Sequence, residues 1–459
     1  MSIPDTDEYD VLGLGFGPSN MALAAAIDEH NAAVPASERL KTLFLDRAAG
    51  PEWHRNLLFE DASMQVAFAK DLATFRNPTS PLTFMNFLRE QGRIADFFNR
   101  GSMAPLRIEF VAYLRWAAAR LAGYVRYSSE VVRIIPRTGA GRIGGYDVDV
   151  VDEDGLRTLR TRHLVLAGGL RPEHPQGIRP GERIWHSAEF LERVERLDPE
   201  RIRTVAVVGG GQSAAEVIGQ MYQRFPQAQV HSVISRFGLV PSDASPYANR
   251  IFDPGAVDEL YAAGPEVRAE MYELHRNTNN SVVNPDTIQA LYDLDYRDRW
   301  LGTPRLHWHR ASRVLEATES APGQTAPAAP VTLRLRDGLT GRDTELAADV
   351  VILATGYRPL DPATLLGSHG ALLARDGDGR VRARRDYSAV TALPDDAKLY
   401  LVGQTEHQHG LSATLLSNVA VRAGEILDSL LGKPAAAAPA TAETDTAAPA
   451  LAGAREGNR

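Results

Sequence analysis

Four short apolar runs, each ending at glycine or beside a charged residue, set the rhythm of the chain. Tyr9-Asp-Val-Leu-Gly-Leu14 reads as a strand running into Gly13-x-Gly15-x-Gly17, and MALAAAIDEH, Met21 to His30, reads as the helix that follows. Thr42-Leu-Phe-Leu45 reads as the next strand and stops at Asp46. The pattern recurs at Thr204-Val-Ala-Val-Val208, where Gly209-Gly-Gly211 opens a helix expected to run to about Arg224, followed by a strand Gln229 to Ile234 that ends in Ser235-Arg236. Between the repeats, helical spacing predicts helices over Leu82 to Gln91 and Glu109 to Ala122, and alternation predicts strands around Val131 to Ile135 and Tyr146 to Val151. Later apolar runs, His163 to Gly169, Asp349 to Tyr357 and Lys398 to Gly403, predict buried strands, and Leu415 to Leu431 predicts a last helix. From Lys433 the sequence becomes an Ala/Pro/Thr tail that cannot bury a core, and disorder is expected over 433–459.

Each strand, glycine turn and helix start is a candidate dinucleotide cradle. The glycines allow the tight turn and the close approach of a pyrophosphate, whose charge then sits on the helix N-terminus. The two second strands differ in a way that carries chemistry. Asp46 is placed to accept from a ribose hydroxyl, whereas Ser235 and Arg236 supply donors for a 2′-phosphate. The first cradle therefore reads as an FAD site and the second as an NADPH site.

Composition narrows the picture by exclusion. In 459 residues there is no cysteine, which removes disulfides, thiolate metal sites and the paired cysteines of disulfide reductases. A net charge of −8 without a basic block implies no nucleic-acid or anionic-membrane surface. An acidic N-terminus without an apolar core and the lack of a run near ~18 apolar residues point to a cytoplasmic protein that spans no membrane. The 12 histidines form no HExxH or comparable spacing, so no metal is expected. Lys70-Asp71, in the middle of a long excursion rich in Trp, His, Met and Phe, reads either as a snorkelling lysine paired with its neighbour or as a ligand.

Several motifs in order resemble the microbial N-hydroxylating flavin monooxygenases, above all the L-ornithine N(5)-monooxygenases of siderophore biosynthesis. They are GxGPSN at Gly15 to Asn20, EWHRN at Glu52 to Asn56, MQVAFAKDLATFRNPTSP at Met64 to Pro81, RIEF at Arg107 to Phe110, VVGGGQSAAE at Val207 to Glu216, SPYANRIFDP at Ser245 to Pro254, NTNNSVV at Asn277 to Val283, ATGY at Ala354 to Tyr357, and HGLSATLLS at His409 to Ser417. The resemblance implies an α/β flavoprotein with two dinucleotide-binding domains and a small helical substrate region. It assigns 1–172 and 347–432 to FAD, 173–236 and 303–346 to NADPH, and 237–302 to substrate.

It also assigns residues. Gly13, Gly15, Gly17, Pro18, Ser19 and Asp46 fall on FAD, with Trp53, His54, Met64, Gln65 and Arg107 around the flavin. Gly209, Gly211, Gln212, Ser213, Ser235 and Arg236 fall on NADPH, and Thr355 and Gly356 lie where the chain returns to the FAD domain. Lys70, Asn249, Asn279 and Ser412 fall on the family's clamp for the substrate carboxylate and α-amine. The implied reaction is N-hydroxylation of the ornithine side-chain amine through a flavin hydroperoxide, with O2 consumed and no protein nucleophile, by a homo-oligomer that is often a tetramer.

Two departures matter. Asn280 stands where the family carries an aromatic residue, and RPGERIWHSAEF, Arg179 to Phe190, lacks the spacing and outer aromatics of the Baeyer-Villiger fingerprint. An N-hydroxylase of lysine or of a diamine, an NADPH oxidase or reductase serving a partner protein, and a nucleotide-sensing binding protein remain the alternatives.

Overall fold

The computed structural model describes residues 8–279, 281–320 and 330–433. The expected tail, apart from Lys433, and Asn280 lie outside the described residues.

Two sheets organise the chain. The first has seven strands, in the order Val125–Arg126, Thr42–Leu45, Tyr9–Leu14, Gly155–Leu166, Arg142–Asp152 and Glu130–Gly139, with Leu399–Leu401 also pairing with Gly155–Leu166. Tyr9–Leu14 runs parallel to both neighbours, its Val11 opposite Thr42 and His163. The last part of the order is an antiparallel meander. Helix Pro18–Ala33 lies on this sheet through Ala22, Ala24, Ala25 and Ala26, all buried; small side chains let its backbone come close. Helix Val419–Leu430 packs against it from outside.

The second sheet has five parallel strands, Leu306–His309, Gln229–Val233, Thr204–Val208, Val350–Leu353 and Ile184–His186. Its two central strands, Thr204–Val208 and Val350–Leu353, are almost wholly apolar and covered on both faces, as the middle of a parallel sheet requires. One core joins it to helices Gln212–Arg224 and Pro285–Trp300, and the other joins it to a three-stranded antiparallel sheet, Ser312–Glu319, Val331–Asp337 and Asp343–Ala348.

Several expected boundaries move. Val350–Leu353 is a central strand of the second sheet, so that unit extends past 346 to 353. The chain crosses between the sheets at a two-stranded ribbon, Leu170–Pro172 against Tyr357–Pro359. Helix Pro285–Trp300, expected within the substrate region, contributes Leu291 to the second unit's core. Leu57, Phe59 and Ala62, from the excursion assigned to the first unit, are buried in that same core. The last helix begins at Val419 rather than Leu415, because the preceding stretch forms 3-10 turns whose Ser412 and Leu415 carbonyls accept from the buried Arg422 guanidinium.

Candidate active site

Both cradles are built by one device. Gly15, with φ +81°, presses on the carbonyl of Ala167, which an added Cβ would approach to 2.4 Å; Gly209, with φ +141°, presses on the carbonyl of Ala354, at 2.2 Å. Ala167 and Ala354 each come directly after the strand that neighbours the glycine turn, so the LAGG and LATG stretches are the floors of the two turns. A left-handed or wider backbone pressed against a carbonyl leaves room only for glycine.

The helices that follow begin at Gly17 and Gly211, and neither start has a side-chain cap. Their first N–H groups are therefore free for an anion. A Cβ on Gly17 would meet nothing within 4 Å, so the turn is open on that side. Pro18 takes the first helical position, where its missing N–H costs nothing, and Ser19 and Ser213 lie in the first turns.

Three of the buried polar atoms without partners among the described residues, Asn20 Oδ1, Gln404 Oε1 and Thr405 Oγ1, belong to residues that follow the C-terminal ends of strands of the first sheet. A buried polar atom left unpaired is costly, and ligands of α/β sheets bind at this end, so the residues present fit a large polar cofactor. Gln404 and Thr405 do not stand out in the sequence; the available signal is a polar pair one residue past the apolar run Leu399 to Val402, after Gly403.

Asp46 uses its oxygens differently from expectation. Oδ2 accepts from the Phe16 N–H at 2.7 Å and Oδ1 from the Ala48 N–H at 2.8 Å, so the carboxylate first of all braces the glycine turn. Each oxygen retains a second lone pair for a ribose hydroxyl.

The excursion after Asp46 forms a wall. The Trp53 ring lies 4.3 Å from that of His54 and 5.6 Å from that of Phe110. His54 has a left-handed backbone, φ 50°, and its ring stands edge-on to that of Trp53. Desolvation first, and the Arg107 charge second, push its pKa down. Met64 is buried and Gln65 exposed beside it.

Arg107 is not free to reach a flavin ring. Its guanidinium donates to both Glu216 oxygens and to the Leu57 carbonyl. Gln212 is engaged likewise, donating to Glu216 and Thr287 and accepting from the Asn284 N–H. Thr355 donates to the Glu173 carbonyl, and the Gly356 carbonyl accepts from Glu173 N–H and His186 Nε2, so this pair locks the crossing between units. Ser235 is exposed, and Arg236 donates to the Ser281 carbonyl at 3.0 Å.

Lys70 is not paired with its neighbour. Asp71 turns inward and accepts from Ala73, Thr74 and Phe84 N–H groups and from the Thr74 hydroxyl. The Lys70 ammonium lies 5.7 Å over the Phe252 ring, with no carboxylate in ion-pair range among the described residues. Desolvation lowers its pKa, and the Asp253 charge opposes that shift.

The turn Ala248–Phe252 joins Lys70 to Asn249 and packs on the turn Leu411–Thr414, which holds the buried Ser412. Asn249 Nδ2 donates to the Ala244 carbonyl. Asn279 sits on a separate segment, tied to the Asn249 loop by the Asp243 N–H to Asn277 carbonyl bond at 2.9 Å. Two residues on, Ser281 lies over the second glycine turn, 3.4 Å from a Cβ placed on Gly211. Lys70 thus faces the turn that carries Asn249, that turn packs on the one that carries Ser412, and Asn279 lies on the segment that leads to the second glycine turn.

Among the described residues there is no cluster of three or more His, Cys, Asp or Glu able to hold a metal, and no helix is long and apolar enough to cross a membrane.

The chain has relatives among known proteins. The chain is 37% identical to the L-ornithine N(5)-monooxygenase of Pseudomonas aeruginosa over 443 residues, 95% of this chain and 97% of that protein. It superposes with a TM-score of 0.87 and 40% identity on the ornithine N-hydroxylase of Kutzneria sp. 744, a structure with reduced FAD, NADP+ and L-ornithine, covering 93% of this chain and 99% of that one. The L-lysine 6-monooxygenase of Pseudomonas syringae gives a TM-score of 0.80 at 32% identity, covering 92% and 99%. The family described as L-lysine 6-monooxygenase/L-ornithine 5-monooxygenase matches residues 7–359, and with two glycine cradles, a cleft wall and an unpaired lysine in place, the chain belongs to that family.

Proposed function

We propose that the protein hydroxylates the side-chain amine of L-ornithine, using FAD, NADPH and O2, and so supplies N-hydroxyornithine for a hydroxamate siderophore or a related product. The observation that carries the choice of an amino acid over a diamine is Lys70, half-buried, with no carboxylate in ion-pair range among the described residues and its ammonium over Phe252, in the turn that carries Asn249. A partly desolvated ammonium without an acid partner calls for an anionic ligand, and an amino acid brings its α-carboxylate. Putrescine and cadaverine bring none.

In this reading the first cradle holds FAD and the second NADPH, and the turns between them receive substrate. Bound FAD would supply an activated oxygen atom, with NADPH as reductant and O2 as its source. The chain supplies the rest. Lys70 takes the carboxylate, and Asn249, Asn279 and Ser412 fix the amino acid head, so that the terminal amine is presented at a set depth. Trp53, Met64 and Phe110 keep water from that end. The neutral amine is itself the nucleophile, which is why no side chain is required as a strong base.

The enzyme is proposed to act in the cytoplasm as a homo-oligomer, a tetramer by the resemblance, which light scattering tests. Substrate is tested by measuring hydroxylamine formed per NADPH with ornithine, lysine, putrescine and cadaverine. Ornithine should give near-stoichiometric product. Comparable coupling with either diamine would overturn the assignment.

A further inference from the structure

The second sheet ends beside two arginines, of which only Arg236 stands out in the sequence. Strands Gln229–Val233 and Leu306–His309 are parallel neighbours, with Val233 opposite His309, so their C-terminal ends leave the sheet side by side. Arg236 follows the first and Arg310 the second. The two exits are stitched together: the Ala311 N–H donates to the Arg236 carbonyl and the Ser312 N–H to the Ile234 carbonyl, both at 2.8 Å.

The turn that presents Arg310 is held at a cost. Ala311 has φ 48°, a left-handed conformation that side chains other than glycine and asparagine seldom adopt. Its carbonyl is fixed by the Gly338 N–H at 2.8 Å. The Arg310 guanidinium lies 5.3 Å from the centre of the Phe237 ring, which is itself 66% exposed. Neither Arg236 nor Arg310 has a carboxylate in ion-pair range among the described residues, although acids outnumber bases in the chain, 58 to 50. Two uncompensated guanidinium groups on adjoining strand ends, one braced by an aromatic ring, make a place for a dianion rather than for a hydroxyl.

We propose that Arg310 is a second reader of the nucleotide 2′-phosphate, acting with Arg236 and held in place by Phe237. This rests on the reading of the second cradle as an NADPH site and adds to it a residue that determines cofactor choice. A ribose bearing a free 2′-hydroxyl gains nothing from Arg310.

Calorimetric titration of the flavin-loaded protein with 2′,5′-ADP and with ADP tests it without turnover. The unmutated protein should prefer 2′,5′-ADP. Arg310→Ala should weaken 2′,5′-ADP by roughly tenfold or more while leaving ADP unchanged, and Arg310→Lys should restore part of the loss. If Arg310→Ala keeps the full preference while Arg236→Ala loses it, the role of Arg310 is refuted and the NADPH site stands. Equal weakening of both ligands would make Arg310 a support for the loop and overturn the proposal. Equal binding of both ligands by the unmutated protein would overturn the NADPH site itself.

Discussion

Arg107 and Glu216 form a two-point ion pair between the units, with Nη1 to Oε2 at 3.0 Å and Nη2 to Oε1 at 2.8 Å. Arg107 opens helix Arg107–Arg120 beside the first sheet, and Glu216 lies in helix Gln212–Arg224 on the second. Both side chains are close to buried, at 12% and 11% exposure. The pair ties helix Arg107–Arg120 to the helix that follows the second glycine turn, and both partners are already largely removed from water.

Removing one partner leaves the other buried and unpaired, which costs about 3 to 5 kcal/mol. Arg107→Ala and Glu216→Ala should each lower stability by that order in urea unfolding. The double change to Met at both positions should recover most of it, since an apolar pair leaves no orphan charge. Single variants as stable as the parent would show that the pair is ornamental.

The glycines of the first turn should separate fold from cofactor. A Cβ on Gly13 would sit 2.2 Å from the Phe44 ring, so Gly13→Ala should destabilise the protein by about 1 to 3 kcal/mol through overpacking. Gly17 meets no protein atom within 4 Å, so Gly17→Ala should cost the flavin-free fold about 1 kcal/mol or less yet lower flavin content sharply. Absorbance of the purified variant at the flavin band, set against its unfolding midpoint, checks both. Full flavin in Gly17→Ala would move the pyrophosphate away from this turn.

What the sequence shows is what neighbours in sequence decide. Gly15 and Gly209 are legible because the turn needs their backbone freedom, and Lys70 because a lysine among Phe68, Ala69 and Leu72 is out of place. Direction and distant partners are not legible. Nothing local says that Asp71 turns inward to Phe84, or that Arg107 meets a glutamate 109 positions away. The same limit hid the burial of Leu57 and Phe59 in the second unit's core, because an apolar residue can be assigned to burial but not to a particular core. The late start of the last helix was hidden by Arg422, whose bonds to Ser412 and Leu415 outweigh an otherwise helical pattern.

Acid should unfold the protein by way of buried neutral histidines. His163, His186 and His409 are buried, and desolvation pushes each pKa down to about 4. His163 Nδ1 accepts from the Lys398 N–H and His186 Nδ1 from the Ala188 N–H, so a proton on either nitrogen would break a bond. The unfolded chain binds those protons near pH 6.5. Their stabilisation is therefore complete above about pH 6.5 and is lost as pH falls toward 4, at up to about 1.4 kcal/mol per pH unit for each histidine. Urea midpoints measured from pH 7.5 to 4.5 should fall across that window, and His163→Gln should make the fall shallower. A level profile would mean that these rings are protonated in the folded state.

Lys70 should make ornithine binding and ornithine turnover respond to alkali in opposite directions. Burial lowers its pKa, with Asp253 opposing, so the ammonium is lost at a lower pH than for a free lysine. The reacting amine has a pKa of about 10.4 in water and attacks only when neutral, so kcat should climb from about pH 6 to 9. As pH rises through the lowered pKa of Lys70, its hold on the α-carboxylate weakens, and the KM for ornithine should rise. Putrescine has no carboxylate, and its KM should not rise for this cause. A guanidinium keeps its charge throughout, so Lys70→Arg should flatten the alkaline limb wherever its longer fork still fits. Lys70→Ala should raise the ornithine KM by roughly tenfold or more at every pH, since deleting one partner of a buried charge pair costs about 2 to 5 kcal/mol. Flavin content and reduction by NADPH should stay near normal, because neither uses this lysine, while more of the oxygen consumed ends as peroxide. If Lys70→Ala instead sheds FAD, or weakens ornithine and putrescine alike, the lysine supports the fold and the carboxylate must be held elsewhere.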